Sequence, residues 1–417
     1  MKITDIKPAM FERAARIEKD IRPVFDRIDE IAQKNTIRVM GAFQDHRVNE
    51  ACFAGTTGYG YDDFGRDVLD KVYAQVFGAE AAHVRIQFVN GTHTISTALF
   101  AAVKPGDTLM SVTGLPYDTM RNVIGITGDE YGSLKFYGIG YDQVDLTESG
   151  EPDYDGIFAA VSEKKPAAVL IQRSRGYEER KSLSIDEIGR IIDAVKRANP
   201  DTVTVVDNCY GEFTEDREPC HVGADIIAGS LIKNPGGGIA PTGGYLAGRR
   251  ELIDRAANRL TTPGIGGECG CTMGNNRLLF QGLFLAPHTV AQALKTSVFC
   301  AALFTDLGFE TYPTPYEHRD DIVQMVKLRT PENLKKFCKG IQAGSPVDSF
   351  VTPEPWQMPG YDCDVIMAAG AFISGSSIEL SADGPMREPY IAYVQGGLTY
   401  ESGKLGIMLA ASEMMEA

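Results

Sequence analysis

Between residues 84 and 228 one pattern recurs: a short apolar run, an end marked by small or polar residues, then a helical stretch. The runs are Val84–Val89, Thr108–Val112, Ala167–Ile171, Thr202–Val206 and Asp225–Ala228. Between the third and the fourth, Ser184-Ile185-Asp186-Glu187-Ile188 opens with a capping residue and continues as a helix to about Ala198. Strands that alternate with helices of this length predict a mostly parallel sheet covered on both faces. In such sheets ligands sit beyond the carboxyl ends of the strands. The chemistry of this chain is therefore to be sought at the ends of these runs.

The flanking segments differ in texture. Ile17, Ile21, Val24, Phe25, Ile28 and Ile31 recur at intervals of three and four and predict an amphipathic helix over 10–31, kinked or split at Pro23. A loop rich in glycine and tyrosine, Gly55–Tyr61, precedes a second helix over about 63–77. Its Gly58-x-Gly60 has no third glycine in register and no preceding strand, which excludes a dinucleotide fingerprint. After Cys300 the prolines at 313, 315, 331, 346, 353, 355 and 359 break the pattern, and a second, smaller domain is expected there. At 417 residues the chain has ample core for both.

Charge and cysteine usage narrow the partners. Lys and Arg number 41 against 56 Asp and Glu, a net of −15, with no basic block, so neither nucleic acid nor an anionic membrane is an expected partner. No secretory leader and no apolar run of about 18 residues is evident. The eight cysteines are scattered without a Cys-x-x-Cys pair, as in a reduced cytoplasmic chain. Cys269-x-Cys271 and Cys220-His221 lack a second half at zinc spacing, and no metal site is expected.

The strand ends carry the informative residues. The first leads into Asn90-Gly91-Thr92-His93-Thr94, a helix start whose free N–H groups either hold a phosphate or are simply capped. The second ends in Thr113-Gly114-Leu115-Pro116-Tyr117, where Tyr117 either stacks on a planar ligand or packs. The fourth closes on Asp207-Asn208; a carboxylate ending a buried strand needs a cation or a donor, or else caps the next turn. The fifth ends in Ser230-Leu231-Ile232-Lys233 before Asn234-Pro235-Gly236-Gly237-Gly238. Partly desolvated there, Lys233 would have a lowered pKa suited to carrying a carbonyl cofactor on its amine. A phosphate cradle, a stacking ring, an aspartate for a pyridinium nitrogen and such a lysine are the protein's side of a pyridoxal phosphate site.

Order and spacing of these segments, together with Lys104-Pro105-Gly106-Asp107 and Gly223-Ala224-Asp225-Ile226, resemble the fold-type I pyridoxal phosphate enzymes of cysteine and methionine metabolism over about 60–250. Asp207-Asn208-Cys209-Tyr210-Gly211-Glu212-Phe213, the run from Lys233 to Gly238, and Ser377-Ile378-Glu379-Leu380-Ser381-Ala382-Asp383-Gly384-Pro385 resemble its aluminium-resistance or methionine gamma-lyase branch over nearly the whole chain. Three departures stand out. Ile232 occupies the place of a phosphate-binding threonine, Gln172-Arg173-Ser174-Arg175 that of an asparagine-containing strand end, and the late Arg-x-Ser-x-Gly-x-Glu is missing. Arg387 and Arg173 are the substitutes expected to bind the substrate carboxylate.

The resemblance implies an α/β fold-type I transferase-like architecture. Its expected parts are an N-terminal helical segment and dimer-contact loop over 1–60, a large cofactor domain over 61–300 and a small α+β domain over 301–417. It implies pyridoxal 5'-phosphate held by Gly91, Thr92, His93, Tyr117, Asp207, Ser230 and Lys233, with Lys233 as the base at Cα and Tyr117 as the acid for the leaving sulfur. Tyr59 or Tyr61 with Arg66 resembles the element that completes a partner's phosphate site, which implies a homodimer or homotetramer with shared active sites. The activity implied is elimination from a sulfur amino acid, of the methionine gamma-lyase or cystathionine beta-lyase type. A cysteine desulfurase, an aminotransferase and a non-catalytic pyridoxal phosphate-binding metal-tolerance protein are the alternatives.

Overall fold

The computed structural model describes residues 2–128, 131–358 and 363–415. In chain order its elements begin with α1 (Pro8–Asp45), α2 (Phe64–Phe77), β1 (Ala81–Arg85), α3 (Gly91–Ala102), β2 (Thr108–Ser111), α4 (Asp118–Ile124), β3 (Gly140–Gln143), α5 (Tyr154–Lys164), β4 (Ala168–Gln172) and α6 (Ile185–Ala198). They continue with β5 (Val203–Asp207), β6 (Ile226–Ser230), β7 (Gly244–Gly248), α7 (Arg250–Leu260), α8 (Asn276–Asp306), β8 (Glu310–Tyr312), β9 (Gln324–Lys327) and α9 (Pro331–Ala343). The chain closes with β10 (Val365–Ala369), β11 (Ser381–Pro385), β12 (Ile391–Gln395) and α10 (Tyr400–Met415). Two compact units result: one from residues 37–231 and 239–284, the other from residues 1–36, 232–238 and 285–417. None of the described helices is long and apolar enough to cross a membrane.

The larger unit contains a seven-stranded sheet in the order β1-β7-β6-β5-β4-β2-β3. The ladders joining β3, β2, β4, β5 and β6 are parallel, and β7 runs antiparallel to both β6 and β1. The mostly parallel sheet expected from the alternation is thus present, with one reversed strand. Strands β1, β4, β6 and β7 are buried at every position, so both faces of the pleat are covered. Helix α3 packs on β5, β6, β7 and α7, while α2 packs on β1 and β7. Ser184 caps α6 as its sequence signature predicts, the Ser184 side chain accepting from Glu187 N–H and the Glu187 carboxylate taking the Ser184 N–H.

The first strand is displaced from its expected place at 84–89. It runs over Ala81–Arg85, the span in which β7 pairs with it, from Ala81↔Gly248 to Arg85↔Gly244. Asp225 ties the lower ends of the central strands: its Oδ2 accepts from Thr204 N (2.8 Å), Thr204 Oγ1 (2.9 Å) and Lys196 Nζ (2.7 Å).

The other unit carries the antiparallel sheet β10-β11-β12-β9-β8, against which α9 packs, with α10 against α9. A Cβ on Gly340 would stand 2.3 Å from Ala410 Cα, so the glycine is what lets these two helices approach so closely. Helix α1 runs through Pro23 rather than ending there. On either side of that proline its Glu18 holds Lys404 (2.6 Å) and its Asp29 holds Lys295 (2.6 Å), while Ile17, Ile21, Val24, Phe25 and Ile28 are buried. Tertiary packing outweighs the roughly 3 kcal/mol that an interior proline costs.

Candidate active site

Within the larger unit the parallel strands deliver their carboxyl ends to one edge. Asn90 caps α3 by accepting the His93 N–H (2.8 Å), which leaves the helix N-terminus, Gly91–His93, at that edge. From the end of β2 comes Tyr117, the N-cap of α4. Its hydroxyl lies 3.2 Å from Thr92 Oγ1, which is also 3.2 Å from Thr119 Oγ1. Two segments 25 residues apart in sequence, each ambiguous alone, therefore meet through their side chains.

His93 faces inward on one side. Its Nδ1 accepts the Val89 N–H (3.2 Å) and its ring meets Phe88 edge-on at 5.6 Å. Burial, reinforced by the Arg259 charge, holds its pKa below the ordinary histidine value, in keeping with an accepting, neutral ring.

Asp207 ends β5 in register with Gln172 of β4 and Ala228 of β6. It is buried, and its Oδ1 accepts the Cys209 N–H (3.1 Å). Ser230 ends β6; it too is buried, and among the described residues its hydroxyl has no hydrogen-bond partner. Close packing seats α3 here, since a Cβ on Gly244 would lie 2.1 Å from Thr94 Oγ1. Lys233 follows Ser230 by three residues and is half-buried at the start of the short turn Asn234–Gly236. The turn ends on left-handed Gly237 and Gly238 (φ 58° and 80°), a conformation that favours glycine.

Arg173 is fully buried: Nε donates to Leu183 O (3.2 Å), Nη1 to Asn208 Oδ1 (2.9 Å), and Nη2 to Thr214 Oγ1 (3.2 Å) and Glu215 Oε1 (2.9 Å). Arg387 is exposed on the turn between β11 and β12. Tyr59 is 77% exposed and Tyr61 53% exposed. Arg66, expected beside them, is buried and donates to the carbonyls of Gly60 (2.6 Å), Gly270 (3.1 Å) and Glu268 (3.3 Å) of its own chain.

Several residues that sequence reasoning passed over shape this edge. Gln172 Oε1 accepts the Tyr117 N–H (3.0 Å). Asn208 Nδ2 donates to Glu218 Oε2 (3.1 Å) and Tyr245 OH (3.3 Å), and the Tyr245 hydroxyl donates to Glu212 Oε1 (2.9 Å). Glu212 and Glu218 are fully buried. Burial, with these two carboxylates adding to it, drives the Tyr245 pKa well above its ordinary value, so the phenol stays a donor. Nothing in the polar run Glu212-Phe213-Thr214-Glu215-Asp216-Arg217-Glu218 tells buried acids from solvated ones.

The family model for methionine gamma-lyase matches residues 10–415. The uncharacterized protein YnbB of Bacillus subtilis is 50% identical over 404 residues, 97% of this chain and 96% of its own. The crystal structure of a carbon-sulfur lyase involved in aluminum resistance from Clostridium novyi is 52% identical, with a TM-score of 0.94 over 98% of this chain and 96% of that one. The pyridoxal-5'-phosphate dependent protein YhfS of Escherichia coli, 19% identical, matches with a TM-score of 0.64 over 94% of this chain and 97% of its own, a likeness of fold. The architecture is that of the fold-type I enzymes, as expected.

Proposed function

The chain belongs to the methionine gamma-lyase family, whose members are pyridoxal phosphate-dependent carbon–sulfur lyases, and from that premise we propose that it eliminates a thiol from a sulfur amino acid, leaving a 2-oxo acid and ammonia. The observation that carries the reading is the meeting of Thr92, at the head of α3, with Tyr117 at the strand edge that also holds the buried Asp207. The residues fit the cofactor. A helix N-terminus suits its phosphate, and the buried Ser230 hydroxyl, without a hydrogen-bond partner among the described residues, suits one of the phosphate oxygens. A buried carboxylate closing β5 suits a pyridinium N–H.

When bound, the cofactor supplies an electron sink for negative charge at the substrate Cα. Gly91, Thr92, His93 and Ser230 would hold its phosphate, Tyr117 would lie on its ring, and Asp207 would accept from its ring nitrogen. Lys233 would tether it and then take the Cα proton on Nζ. The Tyr117 hydroxyl would hand a proton to the departing sulfur. For the substrate carboxylate we keep Arg387, because the Arg173 guanidinium is enclosed and already donates to Leu183, Asn208, Thr214 and Glu215. Tyr59, exposed, is kept for a partner's phosphate site in a homodimer or homotetramer, whereas the Arg66 donors are spent within the chain. The domain bounds 61–300 and 301–417, the cytoplasmic location and the choice between elimination at Cβ and at Cγ are further parts of this proposal.

The test is the visible spectrum of the purified protein with and without Lys233→Ala. We expect a coloured wild type whose cofactor borohydride fixes onto Lys233, and a variant that is not labelled. A colourless wild type that takes no label from added pyridoxal phosphate would overturn the reading. Sulfide, thiol, 2-oxo acid and ammonia released from cysteine, methionine and cystathionine then identify the substrate, and turnover unchanged by Asp207→Ala would remove the role given to that residue.

A further inference from the structure

Gln172 and Arg173 are the last residue of β4 and the one after it, and adjacent residues of an extended segment send their side chains to opposite sides. Gln172 is buried with its polar groups engaged. Its N–H donates to Thr113 Oγ1 (3.1 Å), its Oε1 accepts the Tyr117 N–H (3.0 Å), and its Nε2 donates to Ser174 O (3.0 Å). Arg180 Nη2 braces the same spot by donating to the carbonyls of Gln172 (3.2 Å) and Ser174 (2.5 Å).

Arg173 grips the neighbouring strand. Its backbone N–H donates to Asp207 O (3.1 Å), and its guanidinium holds the side chains of Asn208, Thr214 and Glu215. Asn208 is tied onward to Glu218 and Tyr245, and Glu218 Oε1 accepts the Phe213 N–H (2.9 Å). The turn held in this way contains Tyr210 and Phe213 at φ 72° and 63°, left-handed values that cost free energy in non-glycine residues and persist only where the surroundings impose them. Gly211 completes the fit, because a Cβ there would stand 2.4 Å from Arg173 Cδ.

We propose that Gln172 and Arg173 are positioning residues: the first fixes the backbone of Tyr117, the second fixes the turn that leaves Asp207, so one dipeptide sets the spacing between the ring-stacking and ring-nitrogen groups. The inference rests on the cofactor reading above. The polar groups of this strand end are committed to protein partners, and their role is to hold the groups that touch the cofactor.

The experiment measures the dissociation constant for pyridoxal phosphate by absorbance titration, beside the urea midpoint of the same samples. Gln172→Met removes both side-chain hydrogen bonds, so it should weaken binding by about tenfold and lower the urea midpoint as well. In a Tyr117→Ala background Gln172→Met should weaken binding no further, since the backbone N–H at 117 remains but the ring that it positions is gone. Arg173→Lys should shift the pH midpoint of the bound chromophore. Equal weakening by Gln172→Met in both backgrounds, or none in either, would overturn the role of Gln172, and a cofactor-loaded Arg173→Lys with an unmoved pH midpoint would overturn that of Arg173. A wild type that binds no pyridoxal phosphate removes the cofactor reading along with this one, whereas the former outcomes remove this one alone.

Discussion

Gly211→Ala adds a single methyl group and should cost several kcal/mol, for a reason confined to one contact. The φ of Gly211 is not in the left-handed range, so the backbone tolerates alanine. The obstacle is steric: the new Cβ would stand 2.4 Å from Cδ and Nε of Arg173 and 2.5 Å from Cζ, where non-bonded carbons prefer about 3.5–4.0 Å. Relief requires a shift of about 1 Å, and Arg173 has nowhere to go. It is fully buried, and such a shift would stretch its 2.9 Å contacts to Asn208 and Glu215 beyond hydrogen-bonding distance. Losing two hydrogen bonds to a charged guanidinium costs about 3–5 kcal/mol together, a large part of the ~5–15 kcal/mol that holds a typical protein folded. With a urea slope of about 3 kcal/mol per molar, the midpoint should fall by about 1–1.7 M. Far-UV circular dichroism is the suitable probe, because the only tryptophan, Trp356, belongs to the other compact unit. Gly41→Ala is the control: a Cβ there meets nothing within 4 Å in the body of α1, so the same change should stabilise by about 0.5–1 kcal/mol. If Gly211→Ala leaves the midpoint unmoved, or if the two substitutions behave alike, the packing argument for Arg173 is wrong.

Burial first, and then the charges of Arg85 and Arg66, press the His83 pKa well below its ordinary value. Below about pH 6.5 the unfolded chain therefore binds a proton that the folded one refuses, and stability falls by about 1.4 kcal/mol per pH unit as the pH drops. Between pH 6.5 and 5 wild type should lose about 2 kcal/mol more than His83→Asn in paired urea titrations, and parallel curves would refute the assignment. Among the described residues Ser230→Ala leaves no group unpaired, so it should weaken pyridoxal phosphate binding while the urea midpoint of the cofactor-free protein stays put; a lowered midpoint would instead mark the hydroxyl as structural. Ser184→Ala removes the cap of α6 and should cost about 1 kcal/mol, read as a fall in the same urea midpoint, and an unchanged midpoint would count against the capping box.

The periodic features were legible before any coordinates. Alternating apolar runs announced the strands at 108–112, 167–171 and 202–206, and Ser184 with Glu187 announced the start of α6, because both signals act over a few residues. The end of the first strand was not legible, since it depends on where β7 stops pairing. The continuity of α1 through Pro23 was not legible either, since the partners that hold it, Lys295 and Lys404, come from far along the chain.

The residue types at the strand ends, Thr92, Tyr117, Asp207, Ser230 and Lys233, belong to the sequence, and so does the family they indicate. The roles proposed for them start from local motifs: a helix start bearing glycine and hydroxyl residues, a carboxylate closing an apolar strand and a lysine before a glycine-rich turn. Tertiary structure alone decided which polar residues touch one another. Arg173, expected at a substrate carboxylate, is enclosed by Asn208, Thr214 and Glu215, while Gln172, given no separate role, holds Tyr117. The physical reason is that a hydrogen bond depends on position and angle to within a fraction of an ångström. Residues 35 to 55 positions apart acquire such positions only when the sheet sets its register.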